Sequence, residues 1–162
     1  MGGFVVKLEM TKVMFVCLGN ICRSPMAEAI LNDKCTKLGI ELKADSSGTA
    51  AYHIGNPPDP RTISVCHSKE ISVKHKAQQL EKRHLEEFDH ILVMDKSNYK
   101  NAIILAPEFK SKVKLMRDYD LIDTGSDVED PWYGDEDGFE VCFEVLDRSL
   151  DVFLKSHFQH FF

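Results

Sequence analysis

The chain has 162 residues, 43% hydrophobic and 28% charged, which suits one soluble domain with a single sizeable core. A formal net charge of -6 argues against a general nucleic-acid binder, yet leaves room for a local positive site that takes a small anion. No run of about 18 apolar residues offers a membrane span. Residues 1 to 11 lack the apolar stretch and cleavage site of a secretory signal, and Val6 stands where a myristoylation start needs Ser or Thr. The five cysteines are odd in number and contain no C-x-x-C pair, so a disulfide framework or zinc site is not expected and a reducing, cytoplasmic compartment is.

Residues 1 to 11 read as an N-terminal extension and 12 to 162 as one domain. Lys12 to Cys17 is a short, nearly continuous apolar run followed by Gly19, the pattern of a buried strand. Ser24 and Pro25 suit a helix start, and Ala27, Ile30, Leu31, Cys35 and Leu38 recur at helical spacing until Gly39. Ile40 to Ser46 is a second strand candidate, and residues 48 to 60 form a breaker-rich loop. Asp59 and Pro60 open a helix to about Ser68, and Glu81 to Phe88 is a short one. A third strand is expected at His90 to Met94. Ser97 caps a helix to about Ala106, and a fourth strand runs from Val113 to Met116. After a loop at 118 to 138, Phe139, Cys142, Phe143, Leu146, Leu150, Phe153 and Leu154 mark the buried face of a long terminal helix. Alternating strands and helices predict an α/β fold with four parallel strands and helices on both faces. Ligands of such folds bind at the carboxyl ends of the strands.

The loop after the first strand, Cys17-Leu18-Gly19-Asn20-Ile21-Cys22-Arg23-Ser24, carries the sharpest signal. Five residues between Cys17 and Arg23 let successive N–H groups turn into one anion-binding concavity. The following helix adds its free N–H groups and positive dipole end. Gly19 keeps the turn clear, Asn20 tolerates a left-handed backbone, and Arg23 offers a planar fork for two phosphate oxygens. A cysteine facing a helix N-terminus and an arginine is set up as a thiolate nucleophile. No G-K-[ST] follows, so this is not a nucleotide-binding P-loop of the Walker type. In E-D-P-W-Y-G, Asp130 is the candidate proton donor, with Trp132 and Tyr133 as aromatic walls for a ring-bearing substrate.

The segment V-C-L-G-N-I-C-R-S-P-M-A-E-A resembles the signature of the low-molecular-weight protein tyrosine phosphatases. S-S-G-T-A at 46 to 50, P-P-D-P-R at 57 to 61, H-K-A at 75 to 77, V-M-D-K-S-N at 93 to 98 and D-P-W-Y-G at 130 to 134 follow in that family's order. The resemblance implies a flavodoxin-like domain that hydrolyses phosphotyrosine through a cysteinyl-phosphate, without metal or other cofactor. Cys17 would be the nucleophile, Arg23 the clamp and Asp130 the acid and base. The substrate site would include Leu18, Gly19, Asn20, Ile21, Cys22, Ser24, Tyr52, Trp132 and Tyr133. Ser47 and His75 would hold the loop through Asn20, Ser24 would steady the leaving sulfur, and Asp95 would be structural. Cys22 would be the partner of Cys17 in a reversible disulfide. Trp132 departs from the tyrosine of many members.

The implied partners are phosphotyrosine-containing proteins, with inorganic phosphate or vanadate competing, acting on a monomer. Three alternatives stay in view. An arsenate reductase of similar fold needs relay cysteines, and residues 67 to 141 hold none. A protein arginine phosphatase tends to carry threonine at the position of Ile21. A non-catalytic phosphotyrosine-binding module has no need of Cys17 or Asp130.

Overall fold

A computed structural model describes residues 10–134 and 136–162, so the expected extension lies, apart from residues 10 and 11, outside the described residues. Four strands form one parallel sheet: β1 (Thr11–Cys17), β2 (Leu42–Gly48), β3 (His90–Val93) and β4 (Val113–Leu115). Their spatial order is β2-β1-β3-β4, which places β1 inside the sheet between β2 and β3. The connecting helices are α1 (Arg23–Leu38), α2 (Pro60–Ser68), α3 (Lys82–Glu87) and α4 (Lys96–Leu105), and α5 (Glu136–His157) closes the chain.

Strand alternation divides the apolar residues between two cores. Val13, Phe15 and Cys17 of β1 face one core with α1, α2 and α5, whereas Met14 and Val16 face the other with α3 and α4. All seven apolar positions predicted on α5 are buried, from Phe139 to Leu154. A chain buried on both faces in this way explains why β1 reads as a continuous apolar run.

Three helix starts sharpen the sequence reading. Asp59 caps α2, accepting from Arg61 N at 2.8 Å, with Pro60 at the first helical position as expected. The cap of α4 is Asp95, which accepts from Asn98 N at 2.8 Å, and Ser97 lies inside the helix. Helix α1 begins one residue before Ser24, and Cys22 at its N-cap makes no side-chain capping bond. Ser24 is therefore not a cap. Gly39 ends α1 in the left-handed conformation, φ 72°, as predicted. Short 3-10 turns at Met116–Tyr119 and Pro131–Tyr133 occupy the stretch expected to be loop.

The chain leaves β1 for α1 on one face and β3 for α4 on the other. This divergence opens a crevice at the carboxyl ends of the two strands, where open α/β sheets hold their ligands.

Candidate active site

The loop from Cys17 to Arg23 curls as its spacing implies. Asn20 takes the left-handed backbone, φ 58°, and its N–H points at Cys17 Sγ, 3.3 Å away. Its side chain is pinned from every side. Nδ2 donates to Ser24 Oγ at 2.8 Å and to Ser46 Oγ at 3.0 Å. Oδ1 accepts from Gln78 N at 2.9 Å and from His75 Nε2 at 2.7 Å, which fixes the proton of that ring nitrogen. Ser24 Oγ accepts from Asn20 Nδ2 and lies 3.0 Å from Cys17 Sγ and 3.5 Å from Ser47 O, so its hydroxyl is within reach of the sulfur. The sulfur thus lies beside a backbone N–H and a hydroxyl at the start of α1.

Behind this network lies a carboxylate pair. His75 Nδ1 stands 3.2 Å from Glu28 Oε1 and 3.8 Å from Asp45 Oδ1, and Ser46 Oγ donates to Glu28 Oε1 at 2.8 Å. These three acidic and imidazole groups are the cluster, among the described residues, with atoms close enough to hold a metal ion. His75 bonds Asn20 directly, and Glu28 and Asp45 bond Ser46 behind it, so the three read as a buttress of the loop.

Ser46, not Ser47, is the serine that supports Asn20. Neighbouring strand residues point to opposite faces, and the Ser47 hydroxyl lies against Met14 Sδ at 3.3 Å. Gly48 ends β2 against the loop backbone. A Cβ there would lie 2.6 Å from Leu18 O and 3.1 Å from Asn20 N, so only glycine allows this approach.

Arg23 is buried beside the loop. Its Nη1 donates to Asp95 Oδ2 at 2.7 Å and to Val128 O at 2.9 Å, and its Nη2 lies 3.6 Å from Asp130 Oδ2. Burial disfavours its charge, but the Cys17 sulfur, Asp95 and Asp130 outweigh this and raise its affinity for the proton. Asp95 therefore serves two elements, capping α4 with one oxygen and orienting Arg23 with the other.

Asp130 begins the 3-10 turn Pro131–Tyr133, and its Oδ1 accepts from Trp132 N at 3.0 Å. This turn faces the Cys17 loop across a cleft with an accessible volume of about 150 Å³. Cys17 and Arg23 form its floor with Cys22, Asp130 stands at its side, and Leu18, Gly19, Ile21, Tyr52, His53, Trp132 and Tyr133 complete the walls.

Asn20 and Ser24 are not wall residues. They sit behind the cleft and act on Cys17 and the loop. Tyr52 is 75% exposed and lines the mouth of the cleft. His53, half-buried, fills space over Gly19 and stands 6.0 Å from the Trp132 ring. Gly19 is needed for that space, since a Cβ would lie 2.9 Å from His53 Cδ2. Among the residues the sequence did not single out, Ser46 and Gly48 required strand register to find, and Glu28 and His53 required contacts between distant segments. A parity count along D-S-S-G would have flagged the choice between Ser46 and Ser47.

All five cysteines are free thiols. Burial pushes Cys22 far above the ordinary thiol range, with Asp59 and Cys17 adding to it. It also lifts Cys35 to about 11 and Cys66 and Cys142 to about 12. These four are neutral at physiological pH.

A concave loop of N–H donors, a guanidinium, a sulfur nucleophile and a carboxyl group across the cleft can together transfer a phosphoryl group. Known proteins agree with this geometry. The family model for low molecular weight phosphotyrosine protein phosphatase matches residues 12–159. The chain is 43% identical over 149 residues to the protein of that name from Saccharomyces cerevisiae, covering 88% of this chain and 92% of the relative. It is 39% identical over 155 residues to the human one, covering 90% and 95%. Among solved structures, YfkJ from Bacillus subtilis superposes with a TM-score of 0.89 at 37% identity, over 95% of this chain and 98% of that one. A protein tyrosine phosphatase from Entamoeba histolytica, with Hepes in its active site, gives 0.88 at 31% identity over 93% and 98%. With the family model matched over residues 12–159 and nearly its whole length in common with these proteins, the chain belongs to the low molecular weight phosphotyrosine protein phosphatase family.

Proposed function

We propose that the protein hydrolyses phosphotyrosine in proteins, and simple aryl phosphates, through a cysteinyl-phosphate on Cys17. The observation that carries this reading is the Cys17 sulfur, held by Asn20 N and Ser24 Oγ beside Arg23 and across the cleft from Asp130. The phosphate dianion docks on the loop N–H groups and on the Nε and Nη2 edge of Arg23, since Nη1 is occupied by Asp95 and Val128. Cys17 thiolate attacks phosphorus in line. The P–O bond to the ring breaks, and Asp130 gives its proton to the departing oxygen. Asp130, now ionised, takes a proton from water as that water attacks the cysteinyl-phosphate. The S–P bond breaks, and the Ser24 hydroxyl receives the returning thiolate. Loop amides and Arg23 hold the charge of the equatorial oxygens in both steps. Nucleophile, clamp and acid all come from this chain, and no step calls for a metal ion.

The walls favour a flat ring. Ile21, Leu18, Tyr52, Trp132 and Tyr133 surround the mouth with apolar and aromatic surface, which suits a phenyl ring better than a guanidinium. The arsenate-reductase reading lacks a relay, because Cys35, Cys66 and Cys142 are buried neutral thiols of the core. The free state of all five cysteines suits a reducing, cytoplasmic setting. No helix among the described residues is long and apolar enough to cross a membrane.

The test is turnover of p-nitrophenyl phosphate in excess chelator, with and without vanadate. Vanadate-sensitive turnover is expected, and Cys17→Ser abolishes it. Turnover that survives Cys17→Ser removes the nucleophile assignment. Phosphotyrosine peptides are expected to be cleaved in preference to phosphoarginine ones.

Cys22 lines the same cleft floor as Cys17, which supports the redox reading of that pair. Peroxide converts Cys17 thiolate to sulfenic acid with release of hydroxide, and attack by the Cys22 sulfur then forms the disulfide and releases water. Mass spectrometry after mild peroxide is expected to find the Cys17–Cys22 link. A sulfinic acid on Cys17 with Cys22 still free counts against it.

A further inference from the structure

The acid turn that carries Asp130 and the loop that carries Cys17 come from distant parts of the chain, and one side chain connects them. Arg61, in the first turn of α2, lies between two aromatic rings. Its guanidinium carbon is 5.4 Å from the centroid of Trp132 and 4.5 Å from that of Phe139, the buried residue near the start of α5. The edge of the same guanidinium is used in full by Asp59. Nε donates to Oδ1 at 3.1 Å and Nη2 to Oδ2 at 3.0 Å. Asp59 is itself buried, and its N–H donates to Ile21 O, in the phosphate loop, at 2.8 Å. At the other end, Trp132 N donates to Asp130 Oδ1. The path runs from Ile21 through Asp59, Arg61 and Trp132 to Asp130 without a gap.

We propose that Arg61 is a positioning residue for the proton-transfer step: its guanidinium, fixed edge-on by Asp59, stacks on Trp132 and so holds the Asp130 carboxyl at a set place over the Cys17 loop. Only arginine can do both things at once, because its planar group gives two in-line donors at the edge and leaves its faces for rings. An indole is the aromatic partner a cation binds best, so Trp132 has a local reason to be tryptophan. Arg61 is not a wall of the Cys17 cleft, and it acts through the turn.

The inference rests on the phosphatase reading above, and its experiment separates the two. Wild-type enzyme, Arg61→Met, Arg61→Lys, Trp132→Leu, Trp132→Tyr and the double variant Arg61→Met/Trp132→Leu are compared on two substrates. One is phenyl phosphate, whose leaving group needs a proton, and the other is p-nitrophenyl phosphate, which needs it less. Arg61→Met is expected to lower kcat/KM, which reports P–O cleavage and not the later hydrolysis common to both substrates, by about three- to tenfold on phenyl phosphate, the range of one such stack, and by less than about twofold on p-nitrophenyl phosphate. Arg61→Lys keeps the charge and loses the planar fork, so it falls in between, as does Trp132→Tyr. The double variant is expected to lose no more on phenyl phosphate than the worse single one, because both remove the same contact.

The protein has a single tryptophan, so its intrinsic fluorescence reads Trp132 alone, and Arg61→Met should shift it in the absence of substrate. Equal losses on both substrates, or losses that add in the double variant, overturn the proposal. Failure of the wild type on both substrates overturns the phosphatase reading instead, while the fluorescence shift still tests the stack. If Arg61→Met melts at the assay temperature, Arg61→Lys and Trp132→Tyr carry the same comparison.

Discussion

Asn20 shows how much a single residue in the phosphate loop must do. Its backbone sits at φ 58°, and its amide is held by Ser24, Ser46, His75 and Gln78. The consequence is a sharp contrast between adjacent serines. Ser46→Ala removes the hydroxyl between Asn20 and Glu28 and is expected to lower kcat several-fold, about the value of one buried hydrogen bond. Ser47→Ala touches Met14 on the other face and should change kcat by less than about twofold. Steady-state rates on p-nitrophenyl phosphate check both.

Gly48→Ala is the companion prediction. Its Cβ would meet backbone, not a movable side chain, so about 1–3 kcal/mol of stability is expected to go, along with loop geometry. Thermal melts and kcat/KM measure the two losses. Cys17, Asn20 and Arg23 were readable from the sequence because their chemistry is local, set by a five-residue spacing and one backbone turn. Ser46 and Gly48 were not, because their roles depend on register between β2 and the loop, which no local pattern records, and His53 was not, because its place over Gly19 depends on how the segment after β2 folds back. Asp130 was readable only through its company with the loop, since an Asp-Pro turn alone is commonplace.

Periodicity in the sequence marks the elements, and the structure departs from it mainly at their ends. A serine before an apolar run is a common helix start, which points to Ser97 as the cap of α4. The helix begins at Lys96 because Asp95 takes that role while also holding Arg23. Functional geometry moved the boundary. The stretch after β4 held more order than its polar composition suggested. There Asp120, fully buried, accepts from Arg148 at 2.9 Å and 3.0 Å and from Arg117 at 2.9 Å, tying the turn Met116–Tyr119 to α5.

The bonds from Arg148, then those from Ile122 N and Arg117, hold the Asp120 carboxyl well below the usual carboxylate range against the opposing effect of burial. The proton on Asp120 is thus favoured in the unfolded chain. Its contribution is present above the ordinary pKa of about 3.9 and is lost as pH falls from there toward the folded value. Asp120→Asn is expected to cost roughly 2–3 kcal/mol at neutral pH. The gap in Tm between variant and wild type should narrow below about pH 4, which melts across pH will measure.

For the molecule as a whole, the two cores divide the labour. One carries α1, α2 and α5 and includes Cys17, Cys22, Cys35, Cys66 and Cys142, and the other is closed by α3 and α4. With the other four thiols buried and neutral, Cys17 is expected to be the one cysteine alkylated by iodoacetate at neutral pH, and inorganic phosphate should protect it. Peptide mapping after brief treatment checks this. Labelling of Cys35, Cys66 or Cys142 at a similar rate would contradict it.

The place of β1 has a consequence for exchange of its amide hydrogens with solvent. Val13 to Val16 are wholly buried and lie between two hydrogen-bonded neighbours. Their N–H groups open to solvent only when the domain opens as a unit. An anion that binds the folded loop and not the unfolded chain slows that opening equilibrium by the factor 1 + [L]/Kd. Deuterium uptake at β1, well away from any chromophore or substrate turnover, therefore becomes a gauge of how tightly the loop at its end grips an anion.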